Sequence, residues 1–213
     1  MYGTFVFDVD GTLINTEDAL IKSLRRAVEE TTGEIIENEN LRPLLGIPEV
    51  EVLNRLGLQG DERRTVQDKW AAYLEENRFL IDIFPGIQEL LEGLNIQGYQ
   101  VGIVTSKTRE AFDHEMKPFG LQQFASYIIS AEDTTHHKPS PEPLRAFMEK
   151  SGTEASNTIY IGDTQHDSDS AEKAGTAFGL AGWGAVHPEN TSPTLRFERP
   201  EEILEYVTNA PSS

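Results

Sequence analysis

Two aspartates, two residues apart, directly follow an apolar run near the start of the chain. The run Phe5–Phe7 leads to Asp8 and Asp10, and Gly11-Thr12 follows. Because side chains alternate along a strand, residues i and i+2 project to the same side. Two like charges at the end of a buried strand are costly unless a cation or a reaction uses them. The spacing indicates a metal or acid–base site; the alternative is a hairpin turn, which Asp-Gly between alternating hydrophobic residues also signals.

Further polar residues follow the later strand-like runs of the chain. Thr105 and Ser106 end the second run, Lys138 lies in the loop beyond the third, and Asp163 and Asp167 follow the fourth. In an open α/β sheet, functional groups collect at the carboxyl ends of the strands. An ordered set of acids, a hydroxyl, an amine and two more acids is suited to phosphoryl transfer on a metal ion.

The elements that must position these groups alternate between strands and helices. The pattern predicts strands at Thr4–Asp8, Gln100–Thr105, Tyr127–Ser130, Thr158–Gly162 and Thr176–Leu180. It predicts helices at Gly86–Asn95, Arg109–Phe119, Pro141–Ser151 and Asp167–Ala174. Such alternation is typical of a parallel sheet covered by helices on both faces. We therefore expect an α/β fold with a Rossmann-like, doubly wound parallel sheet.

One segment interrupts the alternation directly after the first strand. Residues 16–80 contain no strand-like run and instead carry helical apolar spacing at Ala19–Thr32, Glu49–Leu56 and Asp61–Leu80. This pattern predicts a small α-helical domain of residues 16–80, inserted into a core of residues 1–15 and 81–213. Thr16 and Ile81–Pro85 would form the two connections.

Composition excludes several classes of partner. The chain has 213 residues, 38% of them hydrophobic, and a formal charge of −18 with no cysteine. Nucleic acids and anionic membranes both require a basic face, so neither is an expected partner. Without cysteine there is no disulfide, thiolate metal site or cysteine nucleophile. No run reaches membrane-spanning length and no signal-peptide pattern is present, so we expect the cytoplasm as its location.

Each candidate residue has a type that suits one step of phosphoryl transfer. Mg²⁺ prefers hard oxygen ligands, which Asp8, Asp163 and the backbone carbonyl of Asp10 can supply. One carboxylate can accept the phosphoryl group as an aspartyl-phosphate, while a second protonates the leaving oxygen and later deprotonates water. Lys138 is a compact charge suited to bridging phosphate and nucleophile, and Thr105 with nearby N–H groups would complete the phosphate site. Considered alone, Thr105 is equally consistent with a helix N-cap, and Lys138 with a surface lysine in a turn.

The ordered set resembles the signatures of the haloacid dehalogenase superfamily. The matching segments are Asp8-Val9-Asp10-Gly11-Thr12, Thr105, Lys138-Pro139, Gly162-Asp163-Thr164-x-x-Asp167, Ala171-x-x-Ala174-Gly175 and Gly182-Trp183-Gly184. The helical insertion is similar to the cap of the subgroup that holds phosphoglycolate phosphatases, bacterial pyrophosphatases and β-phosphoglucomutase. The resemblance implies that Asp8 is the nucleophile and Asp10 the acid/base. It implies phosphate contacts at Thr105, Ser106 and Lys138, a Mg²⁺ ligand at Asp163, and a supporting acid at Asp167.

Within this resemblance we expect a Mg²⁺-dependent phosphatase of a small phosphorylated metabolite, with phosphoglycolate or pyrophosphate leading. A phosphosugar mutase and a catalytically silent phosphate-binding protein stay open as alternatives. Phosphonate hydrolysis, which would need a cap lysine such as Lys22 or Lys69, ranks last. The cap loop 42–48 is the expected substrate contact, and Arg42 is the residue that can reach an anionic group; an exposed helical arginine is the competing interpretation.

Overall fold

The computed structural model describes residues 2–45, 47 and 49–209 and divides the chain into two compact units. One unit comprises the residues up to Ile14 together with those from Ile83 on, and the other comprises Asn15–Asp82. The strands are β1 (Thr4–Phe7), β2 (Ile14–Asn15), β3 (Asp82–Ile83), β4 (Gln100–Val104), β5 (Tyr127–Ile129), β6 (Thr158–Gly162), β7 (Ala177–Ala181) and β8 (Leu195–Phe197). The helices are α1 (Glu17–Thr32), α2 (Asn38–Leu41), α3 (Glu49–Arg55), α4 (Gly60–Glu76), α5 (Ile87–Ile96), α6 (Arg109–Met116), α7 (Glu142–Ser151), α8 (Gln165–Ala174) and α9 (Glu201–Thr208).

A six-stranded parallel sheet forms the centre of the first unit, in the order β5-β4-β1-β6-β7-β8. All residues of β1 and β6 are buried, as expected for strands that helices cover on both faces. Helix α5 packs on β4, α7 on β4 and β5, and α8 on β6 and β7. The predicted Rossmann-like α/β fold is confirmed, and β1 lies near the middle of its sheet.

The Asp-Gly sequence after β1 does not form a hairpin between neighbouring strands. Strand β1 pairs in parallel with both β4 and β6. The chain instead turns tightly, because the backbone N–H groups of Leu13 and Ile14 both donate to the carbonyl oxygen of Val9. The hairpin alternative is therefore wrong for this segment.

The second unit is helical and has its own apolar core. Helices α1 and α4 pack against each other. Their buried side chains include Leu24, Val28 and Val66, joined by Leu41 and Leu53 from α2 and α3. The sequence prediction placed the insert at residues 16–80, and the compact unit spans Asn15–Asp82. The chain enters and leaves this unit at β2 and β3, which pair with each other.

The structure corrects several predicted element boundaries. The predicted helix of residues 61–80 ends at Glu76, and a separate 3₁₀ turn, Arg78–Leu80, follows it. The predicted helix at Arg109–Phe119 likewise ends at Met116 before a 3₁₀ turn, since Pro118 cannot continue the backbone hydrogen bonds. Helix α8 begins two residues earlier than predicted, because Thr164 is its N-cap. Within the described part of the chain, no helix combines the length and apolarity that a membrane span requires.

Candidate active site

The carboxyl edge of three adjacent strands brings the predicted site residues together. Phe7 at the end of β1 is aligned with Ile103 of β4 and Ile161 of β6. Asp8 follows β1 directly, and its N–H donates to Ile161 O over 2.9 Å, which continues the strand ladder. Thr105 and Asp163 stand one residue beyond β4 and β6. The sheet register alone therefore places the groups that follow the three strands at one edge.

Lys138 joins two of the carboxylates. Its Nζ lies 2.7 Å from Asp8 Oδ1 and 2.7 Å from Asp167 Oδ1, and its side chain is only 7% exposed. It also donates to the Tyr160 hydroxyl over 3.0 Å. A buried ammonium requires partners of this kind, because an unpaired charge would be costly in this environment. Lys138 is thus a buried cation between the end of β1 and the first turn of α8, and the competing interpretation as a surface lysine is wrong.

Asp167 is held by hydrogen bonds at both of its carboxylate oxygens. Oδ1 accepts from Lys138 and lies 3.1 Å from the Tyr160 hydroxyl. Oδ2 accepts from the N–H and the hydroxyl of Thr164, which completes a capping box at the start of α8. These contacts occupy most of the acceptor capacity of Asp167 and orient Lys138 toward Asp8.

Asp163 completes a cluster of three buried carboxylates. Oxygens of Asp8, Asp163 and Asp167 all lie within 4.8 Å of one another. Thr12 donates its hydroxyl to Asp163 Oδ1 over 3.0 Å. Gly11 faces the same carboxylate so closely that a Cβ there would fall 2.2 Å from Oδ2, and its φ of +72° also favours glycine. The Asp-Gly-Thr segment is therefore shaped around Asp163.

Burial and charge shift the pKa values of these groups in different directions. Burial, aided by the neighbouring carboxylates, raises the pKa of Asp8 to about 7 although Lys138 opposes the shift. Burial and the charges of Asp167 and Asp8 likewise raise the pKa of Asp163 well above its usual range. Burial acts in the same direction on Asp167, but Lys138 and the Thr164 hydrogen bonds outweigh it and lower the pKa of Asp167. Burial disfavours the charge of Lys138, yet Asp167 and Asp8 raise its pKa well above the ordinary value.

The carboxylate of Asp10 has a different partner from that of Asp8. Asp10 Oδ2 lies 3.0 Å from Lys107 Nζ, and the Asp10 side chain is 40% exposed. Thr105 is buried, and its Oγ1 accepts a hydrogen bond from the N–H of Lys107 over 3.2 Å. Ser106 follows Thr105 and is exposed. Because β1 ends at Phe7, strand alternation does not relate the side chains of Asp8 and Asp10.

The remaining predicted residue, Arg42, belongs to the inserted unit. It begins a 3₁₀ turn, its side chain is 60% exposed, and it forms an ion pair with Glu17 at the start of α1. Two residues of the predicted substrate loop, Gly46 and Pro48, lie outside the described part of the chain. Inside the same unit, a cavity of about 490 Å³ is lined mainly by apolar side chains, which come from α1, α2, α3 and α4 and from Leu44, Leu45 and Ile47, with Trp70 of α4 among them.

Four residues near the site were given no role from the sequence, although Thr12 and Trp183 stand in the signature segments quoted above. Tyr160, Thr12, Glu115 and Trp183 each contact a predicted site residue or its loop. Two of them carried a signal. A tyrosine inside a fully buried strand needs a partner for its hydroxyl. Glu115 interrupts the apolar stripe of α6, where Phe112 and Met116 are buried.

Comparisons with known proteins agree with this geometry. A family model described as haloacid dehalogenase-like hydrolase matches residues 5–181. The pyrophosphatase PpaX of Halalkalibacterium halodurans is 32% identical over 184 residues, which cover 84% of this chain and 83% of that protein. PpaX of Bacillus cereus is 27% identical over 213 residues, covering 97% and 96%. A crystal structure of a provisionally named phosphoglycolate phosphatase from Lactobacillus plantarum superimposes with a TM-score of 0.83 at 30% identity, covering 96% of this chain and 99% of that one.

The chain belongs to the haloacid dehalogenase-like hydrolase family, as its sequence signatures predicted. Within that family, the site and the relatives named phosphatases support a phosphatase, so the protein is an enzyme of this class.

Proposed function

We propose that this enzyme hydrolyses a small phosphorylated metabolite with the aid of Mg²⁺ and through an aspartyl-phosphate intermediate. The observation that carries the proposal is the position of Lys138 Nζ, 2.7 Å from both Asp8 and Asp167. Asp163 completes the same buried carboxylate cluster. A cation held against one carboxylate, with further carboxylates beside it, suits the transfer of a phosphoryl group to that carboxylate.

In the first half of the reaction, a carboxylate oxygen of Asp8 attacks phosphorus, and the bond to the leaving oxygen breaks. Asp10 gives its proton to that leaving oxygen. Lys138 and the hydroxyl of Thr105 contact the transferring phosphoryl oxygens, and Ser106 contributes from the exposed end of the same turn. In the second half, a water molecule loses a proton to Asp10 and attacks phosphorus, the bond to Asp8 breaks, and phosphate leaves.

The residues present fit a magnesium ion. The cluster offers carboxylate oxygens, which are the ligands that Mg²⁺ prefers. Asp8, Asp163 and the backbone carbonyl of Asp10 would hold the ion, whereas the hydrogen bonds at both oxygens of Asp167 favour a supporting role for that residue. When bound, the ion would neutralise negative charge on the phosphoryl group and on the carboxylates.

The substrate class follows from charge and from the relatives. The net charge of −18 repels anions at long range, so binding must depend on local cations such as Lys138 and on backbone N–H groups. Relatives named pyrophosphatase and phosphoglycolate phosphatase make small, highly charged phosphates the leading candidates. In this proposal residues 16–80 form a cap that selects the substrate, with Arg42 as the contact to an anionic group.

The test is phosphate release from pyrophosphate, phosphoglycolate and a panel of sugar phosphates, with Mg²⁺ and with EDTA. We expect release that requires Mg²⁺, is abolished in Asp8→Asn and is fastest with pyrophosphate or phosphoglycolate. Asp113→Asn is the matched control, because Asp113 lies on an exposed face of α6. Interconversion of sugar phosphate isomers without release would overturn hydrolysis as the function, and sugar phosphates outpacing both leading substrates would overturn the substrate class.

A further inference from the structure

A buried glutamate on the inner face of α6 is not explained by packing. Glu115 is 8% exposed and lies beside Phe112 and Met116, which are fully buried. An apolar residue is the usual occupant of such a position, because burying a carboxylate is costly unless it is paired. Glu115 therefore needs an explanation beyond the folding of the helix.

The partner of Glu115 is Lys107, which also contacts Asp10. Lys107 Nζ lies 2.6 Å from Glu115 Oε2 and 3.0 Å from Asp10 Oδ2. The Lys107 ammonium therefore lies between two carboxylates. The three groups form a chain from the interior of α6 to the proposed acid/base.

The backbone of Lys107 is already fixed without Glu115. Its N–H donates to Thr105 Oγ1, and its carbonyl accepts from Ala131 N over 2.8 Å. What the backbone leaves free is the flexible four-carbon side chain, which loses considerable rotamer entropy when it is ordered. The Glu115 carboxylate, the second partner of the Lys107 ammonium besides Asp10, holds that side chain in one orientation.

The orientation of the Asp10 side chain is not fixed by packing against neighbouring residues. With 40% of its side chain exposed, the Asp10 carboxylate can rotate, and the ion pair with Lys107 restrains it. A lysine released from Glu115 could swing toward a bound phosphoryl group and leave Asp10 unrestrained. Small misplacements of a reacting group reduce rates strongly.

We propose that Glu115 is a positioning residue for proton transfer, which acts through Lys107 to hold the Asp10 carboxyl group, as the proton donor, toward the leaving oxygen. The proposal rests on the proposed phosphatase function and on the role of Asp10 in it. It assigns Glu115 to the protonation of the leaving group and not to substrate binding or to metal binding.

The leaving group provides a readout that a merely structural role would not affect. p-Nitrophenolate leaves readily without a proton, whereas an alkoxide leaves only when it is protonated. The parameter kcat/KM reports the steps through loss of the first leaving group. Kinetics of Glu115→Gln with p-nitrophenyl phosphate and with an alkyl phosphate therefore separate proton transfer from everything else.

We expect kcat/KM of Glu115→Gln to fall roughly tenfold for the alkyl ester and to change by less than about twofold for the p-nitrophenyl ester. Glu110→Gln, an exposed glutamate on the same helix, should leave both values unchanged. An equal fall for both esters, or no fall for either, would overturn the proposal.

A double variant keeps the test informative if a single variant leaves a buried charge unpaired and fails to fold. Lys107→Met alone leaves Glu115 buried without its partner, so Lys107→Met/Glu115→Gln replaces the whole pair with neutral groups. If Glu115 acts through Lys107, this variant shows the same selective loss with the alkyl ester, and the Glu115 substitution adds no further loss to Lys107→Met. An additional loss in the double variant would contradict action through Lys107. The proposed function itself would fail differently, as a wild-type enzyme that releases no phosphate with Mg²⁺.

Discussion

The indole Nε1 of Trp183 donates a hydrogen bond of 2.9 Å to the carbonyl oxygen of Thr12, which joins the loop after β7 to the loop after β1. The next residue, Gly184, approaches the same loop even more closely. A Cβ on Gly184 would fall 1.8 Å from the carbonyl oxygen of Gly11. Residues about 170 positions apart thus fix the backbone that shapes the Asp163 site.

This close approach predicts the effect of Gly184→Ala. The added methyl group meets backbone rather than a flexible side chain, so the Gly11–Thr12 loop must move, and with it the Asp163 contacts. We expect kcat to fall by at least about tenfold, because a reacting geometry tolerates little displacement. Steady-state kinetics and thermal unfolding check the result. Gly98→Ala is the control: its φ of +82° makes alanine strained there, but nothing lies within 4 Å of the new Cβ. Equal kinetics for the two variants would contradict the prediction.

Replacing Lys138, whose ammonium pairs with both Asp8 and Asp167, should reduce both activity and stability. Lys138→Met leaves two buried carboxylates, Asp8 and Asp167, without the partner at 2.7 Å. Breaking a buried ion pair on one side typically costs about 3 kcal/mol or more of unfolding free energy. We expect such a loss in urea unfolding, together with a fall in kcat of at least about a hundredfold. Lys117→Met removes an exposed lysine and should change stability by less than about 0.5 kcal/mol. A stability loss no larger than that of the control would show that the buried pair contributes little.

The strands that position the site could be predicted from the sequence, because a strand that is buried on both faces is a continuous run of apolar residues. This holds for β1, β4 and β6, whose carboxyl ends carry the site residues. By contrast, β2 and β3 have two residues each, and β8 has an exposed arginine at its centre, so none of them carries a readable period. Their pairing depends on tertiary contacts that a local pattern does not contain.

Inside the site, too, the sequence predicted some features and not those that depend on tertiary contacts. Residue types and their order indicated which groups meet at the sheet edge, since register follows from parallel pairing. They did not indicate which lysine pairs with which aspartate. Asp8 is held by Lys138 and Asp10 by Lys107, because the chain leaves the strand geometry after Phe7 and turns at Gly11. Strand alternation therefore gave no valid guide to the direction of Asp10.

The raised pKa of Asp8 predicts how the metal-free protein responds to pH. Burial raises this pKa from 3.8 to about 7 in the folded state. Between these values the folded state binds the proton more tightly than the unfolded state, so this group makes stability fall as pH rises through that window. In Asp8→Asn the group no longer titrates. We expect the Tm of Asp8→Asn relative to wild type, measured in EDTA, to increase from about pH 5 to about pH 8. Asp169→Asn, which changes a more exposed carboxylate on α8, should show no such trend. A Tm difference that is constant with pH would contradict the assignment.

Comparing the Tm with Mg²⁺ and with EDTA should show whether Asp163 is a ligand of the metal ion. Burial and the neighbouring carboxylates raise the pKa of Asp163, so the charged form of this group is disfavoured in the metal-free protein. A bound ion would balance that charge, and it would stabilise the folded state by about 2.7 kcal/mol at a hundredfold excess over Kd. We expect Mg²⁺ to raise the Tm of wild type and of the control Asp113→Asn, but not that of Asp163→Asn. In EDTA, Asp163→Asn should be at least as stable as wild type, because a neutral amide replaces a buried carboxyl group that resists ionisation. A Mg²⁺-dependent increase in the Tm of Asp163→Asn equal to that of wild type would remove Asp163 from the metal site.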